Sequence, residues 1–297
     1  MRYAFKPVAA CDMCGSTDFQ MLGMRLSASQ GLRPRRAEGI SVPVKRCCNC
    51  ALVFADPQPV PDNISDHYGL PPEDYWDAAA FSWSPDYFAA EIETAKRLID
   101  FVPRMAALDI GVGLGKATKS LAAAGFDVWG IEPSPSFRDQ ALQKMGLDAE
   151  RVQLATVEAA DFPEAQFDFI TFGAVLEHLY SPSLALKRAL RWLKPGGVIQ
   201  AEVPSSKWLV ARIINAWFRI SGTNYVTHLS PMHPPYHLYE FGLRSFELNG
   251  GRLGYSIAHH QFMTCTVMHL PAKPLFRRIM DATDTGMQLT VFLRKNA

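Results

Sequence analysis

"LDIGVGLGK", residues 108–116, is the stretch whose reading decides the fold. It closes a short apolar run, "MAALDI", and follows it with Gly111, Gly113 and Gly115. At a strand-to-helix turn, glycines let a nucleotide-like cofactor come against the backbone. A phosphate-binding loop requires Gly-x-x-x-x-Gly-Lys-Ser/Thr. Here Gly115-Lys116 is followed by Ala117, and the position five before Gly115 is Ile110. The dinucleotide fingerprint Gly-x-Gly-x-x-Gly also fails: counted from Gly111 the sixth position is Lys116, and counted from Gly113 it is Thr118. What remains is Asp109-x-Gly111-x-Gly113-x-Gly115, an acidic residue two places before the first glycine.

Outward from that turn, strand and helix signals alternate. "FDVWGI", "RVQLA", "FDFITF" and "GVIQAEV" read as strands; "ATKSLAAAG", "SFRDQALQKMG" and "PSLALKRALRWLK" read as the helices between them. This alternation predicts an α/β fold, a Rossmann-like sheet with helices on both faces. "YSIAHHQFMT" and "MQLTVFLRK" add a closing antiparallel pair, and "PDYFAAEIETAKRLIDFVP" is a helix bounded by prolines that leads into the sheet. The three prolines of "ADPQPVPDN" mark a boundary. The expected organisation is a small module at 1–60, a linker and helical segment at 61–104, and the main domain at 105–297, with a substrate-side insertion or lid at 205–242.

The module is read from its cysteines. Five of the six in the chain precede residue 51, a clustering that suits a metal site in a reducing compartment rather than a disulfide framework. Cys11-x-x-Cys14 and Cys47-x-x-Cys50 have the spacing at which two thiolates bite one tetrahedral zinc. Four thiolates saturate the ion, so the zinc is expected to be structural. Cys48 reads as a bystander thiol, with competition against Cys47 as a ligand left open. "FQMLGMRL" and "LVFADP" supply strands for a zinc-ribbon-like module.

Asp109 can organise the ammonium group of an amino-acid cofactor. Glu132, 21 residues after Gly111 in "VWGIEPS", can accept both ribose hydroxyls. Asp161-Phe162 is positioned to hold an adenine amino group and cover its face; Pro133, Phe172 and Gly173 complete the expected cofactor wall. Taken in order, "LDIGVGLG", "GIEPS", "FDFITFGAVLEHL" and "LKPGGVIQAEVP" make residues 105–203 resemble a class I S-adenosylmethionine-dependent methyltransferase. With the Cys-x-x-Cys pairs, the resemblance extends to a subgroup carrying a zinc-ribbon-like module, which includes sugar and natural-product methyltransferases. It implies S-adenosylmethionine as cofactor and a small-molecule acceptor.

Methyl transfer needs a nucleophile aligned and its proton removed, and histidine, with an unperturbed pKa of about 6.5, suits that task. The resemblance places a glutamate-histidine pair in the active site, here Glu177 and His178: His178 as base, Glu177 orienting substrate or imidazole. His237 and His233, in the proline-stiffened "SPMHPPYHLYEF", are further candidates. "HPPY" does not end strand four, so it is not the amino-methyltransferase motif. Tyr68 and Tyr75 are expected to reach the cleft. "SSKWLVARIINAWFRISG" has helical spacing and reads as a core or dimer-forming helix, a substrate lid, or a membrane-surface helix flanked by Lys207, Arg212 and Arg219.

A hydrophobic share of 48% suffices for a large core, and a net charge of +1 disfavours a nucleic-acid partner. No uncharged apolar run reaches membrane-span length and the N-terminus lacks a signal-peptide core, so a cytoplasmic protein is expected. The leading reading is O-methylation of a sugar or natural-product intermediate. C- or N-methylation of a similar molecule stays open, as do an RNA methyltransferase using the basic Arg33, Arg35 and Arg36 of the module and a non-catalytic cofactor-binding scaffold.

Overall fold

The computed structural model describes residues 3–25, 40–62, 82–229, 237–264 and 273–296. The N-terminal part contributes strands β1 (Tyr3–Lys6), β2 (Phe19–Arg25), β3 (Pro43–Cys47), β4 (Val53–Ala55) and β5 (Gln58–Pro61). Helix α1 (Ala89–Leu98) then leads into β6 (Ala106–Ile110), α2 (Lys116–Ala123), β7 (Asp127–Glu132), α3 (Pro135–Met145), β8 (Val152–Leu154) and β9 (Phe167–Gly173). After a 3-10 turn (Leu176–His178) come α4 (Pro182–Trp192) and β10 (Leu193–Pro204). The remainder is α5 (Leu209–Ile220), β11 (Tyr225–Val226), β12 (Tyr239–Glu240), α6 (Leu243–Leu253), β13 (Tyr255–Met263), α7 (Lys273–Thr283) and β14 (Gln288–Lys295).

The main sheet runs β8-β7-β6-β9-β10-β14-β13. The first five strands are parallel; β14 is antiparallel to both β10 and β13. This is the Rossmann-like sheet the alternation predicts, including its antiparallel close. The helix α7 between the last two strands was not anticipated. Both sheet faces are covered, which is why the parallel strands read as nearly continuous apolar runs. Neighbours on one strand go to opposite faces. Leu108 and Ile170 join the core with Trp192 and Phe246, while Ala107 and Phe169 join Ile92, Leu121 and Phe126.

Local signals set the helix ends. In α3 the Ser134 hydroxyl accepts from the Phe137 N–H and Pro135 opens the first turn; Gly146, at φ 69°, ends it. In α4 Ser181 caps through the Leu184 N–H and Pro182 follows it.

The second sheet, β11-β2-β3-β4-β12, crosses the expected module boundary. Both of its edge strands come from residues 225–240: Tyr225 and Val226 pair with Met24 and Arg25, and Tyr239 and Glu240 pair with Phe54 and Val53. Glu240 ties the base of that segment, accepting from the Leu229 N–H at 2.6 Å and paired with His228 Nδ1 at 2.5 Å. Burial pulls the His228 imidazole down, but the Glu240 carboxylate outweighs it and raises the pKa above its ordinary value. The first knuckle is docked as well. Asp12 accepts from Ser181 Oγ at 2.7 Å and the Ser183 N–H at 2.6 Å, and Asn249 Nδ2 donates to the Met13 carbonyl at 2.9 Å. No helix among the described residues is long and apolar enough to cross a membrane.

Candidate active site

A cavity of about 540 Å³ opens at the carboxyl ends of β6, β7, β9 and β10, where open α/β sheets bind ligands. The "LDIGVGLGK" turn forms its floor. Gly111 has φ 79°, and a Cβ there would meet Val175 Cγ2 at 2.5 Å. Gly115, at φ 80°, opens α2, and a Cβ would press on Leu147, Ala141 and Met145. The first glycine therefore keeps the cavity floor low; the last lets α2 pack on α3.

Asp109 and Glu132 stand on the same wall, with Pro133 beside them and Gly173 across. Asp109 is 2% exposed, accepts from Thr118 Oγ1 at 2.5 Å, and is pushed up to about 6 by burial against that hydrogen bond. Glu132 accepts from the Gly113 N–H at 2.8 Å and the Ser134 N–H at 2.9 Å, so its two oxygens tie β7 to the glycine turn. Burial pushes it up to about 7. A floor that a single Cβ would fill, flanked by two carboxylates, fits a cofactor carrying an ammonium group and ribose hydroxyls.

Three residues expected on that wall lie elsewhere. Asp161 is 78% exposed at its side chain and ion-paired with Arg191 at 2.5 Å, outside the cavity lining. Phe162 is buried edge-on among Trp129, Phe167 and Trp192. Phe172, on β9, is fully buried in the main core. In each case core packing or a surface pair claims the side chain. The wall there is formed instead by Ala155, Thr156, Val157 and Glu158.

At the other end, the 3-10 turn brings His178 to the cavity. His237 packs its ring on His178, centroids 4.8 Å apart at 78°. The ligating atoms of Glu177, His178 and His237 all lie within 4.8 Å of one another. Glu177 is 2% exposed, its Oε2 has no hydrogen-bond partner, and burial pushes it up to about 8. The Leu238 N–H donates to the Glu177 carbonyl at 2.7 Å, which locks the two segments together. His233, Tyr68 and Tyr75 lie outside the described residues.

Two groups of the cavity were missed by sequence reasoning. Glu202 lines the cavity, accepts from Gln288 Nε2 at 3.0 Å, and is pushed up to about 7 by burial with Glu91 adding. Tyr87, from the segment before α1, lines it too and is pushed up to about 12 by burial and by Asp109, Glu202 and Glu91. A signal for Glu202 was present: it is the acid at the carboxyl end of the apolar run "GVIQAEV".

The four knuckle cysteines converge. Cys11 Sγ lies 3.5 Å from Cys50 Sγ and Cys14 Sγ 3.5 Å from Cys47 Sγ, all four sulfurs being within 4.8 Å of each other. Thiolates around tetrahedral zinc, with Zn–S of about 2.3 Å, stand about 3.8 Å apart, so the four residues fit the ion. Cys48 is exposed and outside the cluster.

Comparison with known proteins agrees with this architecture. Residues 108–201 match a family described as "Methyltransferase domain". The ubiquinone biosynthesis O-methyltransferase of Methylococcus capsulatus is 32% identical over 96 residues, covering 31% of this chain and 40% of that protein. The enzyme of the same name from Paraburkholderia phymatum is 26% identical over 193 residues, covering 64% and 78%. Phosphoethanolamine N-methyltransferase 2 of Caenorhabditis elegans is 29% identical over 120 residues, covering 39% and 28%. Over the first three curated relatives, the chain spans half their length or less. Among solved structures, an S-adenosylmethionine-dependent methyltransferase from Mesorhizobium loti superposes with TM-score 0.50 at 15% identity, over 71% of this chain and 98% of that one. One from Methanosarcina mazei does so with TM-score 0.50 at 16% identity, over 69% and 97%. The chain carries the class I S-adenosylmethionine-dependent methyltransferase fold, joined to a zinc-ribbon-like module.

Proposed function

We propose that this chain, with its class I methyltransferase fold, transfers a methyl group from S-adenosylmethionine to a hydroxyl of a small sugar or natural-product acceptor. One observation carries the reading: a single cavity runs from the Asp109–Glu132 wall to His178. The relatives named for O-methylation support oxygen as the nucleophile.

S-adenosylmethionine supplies a methyl group already activated on a sulfonium centre. In this reading the Gly111–Gly115 turn and Asp109 hold the amino-acid end, and Glu132 accepts the ribose hydroxyls. Pro133 and Gly173 border the cofactor. His178 takes the acceptor's proton on an imidazole nitrogen. His237 packs against that ring and holds its plane, and Glu177 sets the turn on which it sits. Glu202, whose charge reaches Glu177, faces the acceptor, and Tyr87, under Lys116, borders the cofactor end. The zinc of Cys11, Cys14, Cys47 and Cys50 braces the fold and takes no part in the transfer.

The test is turnover with radiolabelled methyl donor over a panel of phenols, sugar hydroxyls and amines, beside calorimetry of cofactor binding. His178→Ala is expected to lose about 100-fold or more in kcat, the range of a positioned general base, with cofactor affinity unchanged. Full turnover in both His178→Ala and His237→Ala would sink the assignment of the base.

A further inference from the structure

Among the described residues, helix α5 carries an apolar face that stays exposed. Val210, Ala211 and Asn215 are buried, and Asn215 Oδ1 accepts from the N–H and hydroxyl of Thr227, pinning the helix to the chain that follows it. On the outer side Ile213, Trp217 and Ile220, spaced i, i+4, i+7, are 48%, 64% and 81% exposed. Arg212 and Arg219 border the stripe and are exposed as well. A contiguous apolar row rimmed by charge marks an interaction surface rather than ordinary solvent-facing sequence.

Charge indicates the partner. No Asp or Glu occurs between Glu202 and Glu240, so α5 and both its flanks carry Lys207, Arg212 and Arg219 without an acidic residue in the segment. Helix α7 adds a second exposed apolar pair beside arginines, with one acid, Asp281, ion-paired to Arg277 at 3.8 Å in its last turn. Leu275 and Ile279 are 58% and 40% exposed, Arg277 and Arg278 lie between them, and no acid occurs between Glu247 and Asp281. The helices are joined at their ends: the Leu209 N–H, which opens α5, donates to the Thr285 carbonyl just after α7 at 3.1 Å. An amphipathic helix with Trp and Ile on one side and arginines flanking them inserts its apolar side at the acyl–headgroup boundary, with the cations meeting lipid phosphates.

We propose that α5 and α7 form a docking face for an anionic membrane surface. The face holds irrespective of which acceptor is methylated.

Vesicle flotation of the full chain tests it. Binding is expected to vesicles of phosphatidylglycerol and phosphatidylcholine, and to be at least tenfold weaker to pure phosphatidylcholine or in about 0.5 M salt. The double variant Trp217→Ser/Ile220→Ser should lose at least tenfold in binding at an unchanged melting temperature. Leu275→Ser/Ile279→Ser serves as the second variant should the first melt early. Arg212→Gln/Arg219→Gln should abolish the preference for the anionic lipid. The proposal is overturned if the parent stays in solution, or if the folded serine variants float as well as the parent. It is equally overturned if light scattering finds a dimer that Trp217→Ser/Ile220→Ser dissociates while no vesicle binding occurs; the face would then belong to a second copy.

Discussion

Glu132 shows how one residue reports on pH. Its ordinary pKa of 4.5 is pushed up to about 7 by burial, against the pull of the Gly113 and Ser134 N–H groups. The folded protein therefore holds this proton more tightly than the unfolded chain does. The sign follows: its contribution to apo stability is greatest below about 4.5 and declines as pH rises through about 7. Under the proposed function, where the ionised Glu132 carboxylate accepts the ribose hydroxyls, cofactor binding should have the opposite slope. Calorimetry with S-adenosylhomocysteine should show affinity rising from about pH 6 to about pH 8, with proton release. Glu132→Gln should bind at least tenfold more weakly at the upper end and lose most of that pH dependence; an unchanged slope would mean another group titrates.

At the level of elements, the glycine turn and the α4 cap make separable demands. Gly111→Ala places a Cβ 2.5 Å from Val175 Cγ2 at φ 79°, so backbone strain and a clash coincide on the cavity floor. Calorimetry should detect no cofactor binding, while the far-ultraviolet spectrum stays native. Asp12 acts on the other side of the sheet. Its carboxylate satisfies the Ser183 N–H and Ser181 hydroxyl at the start of α4, so Asp12→Ala leaves both without that acceptor. A loss of about 1–3 kcal/mol in denaturant unfolding is expected, with the cofactor site intact. Helix α7 illustrates what short elements conceal. "KPLFRRIMDAT" has the period of a helix but no serine or aspartate cap before it, and Leu275 and Ile279 face outward while, of its described residues, only Met280 is buried.

For the whole molecule, the cysteine-bearing module is built into the end of the cavity that holds His178. Strand β4 pairs with β12, the Ala55 N–H donates to the Leu238 carbonyl, and the Leu238 N–H in turn reaches the Glu177 carbonyl. If the proposed acceptor end lies at His178 and His237, a distortion at the cysteines is expected to disturb it more than Glu132. Metal analysis should find about one zinc per chain. Removing it with chelator, or substituting Cys14→Ser, should lower the melting temperature and abolish turnover while S-adenosylhomocysteine binding falls far less. Equal loss of both would mean the module stabilises the fold without serving the acceptor end.

The sequence by itself determined the α/β alternation, the glycine turn with Asp109 and Glu132, and the two cysteine knuckles. Each is a local pattern whose period or spacing carries its own physics. It also brought Glu177, His178 and His237 forward as candidates, although 58 positions separate the last two. Only the tertiary structure decided that these three meet, since their contact depends on β12 docking on a strand of the N-terminal module. Only packing could decide that Asp161 turns to Arg191 and Phe162 to the core, because neither choice is written in neighbouring residues. Glu202 and Tyr87 were hidden for the same reason: an acid ending a strand and a tyrosine preceding a helix acquire meaning only when a sheet brings them to one cavity.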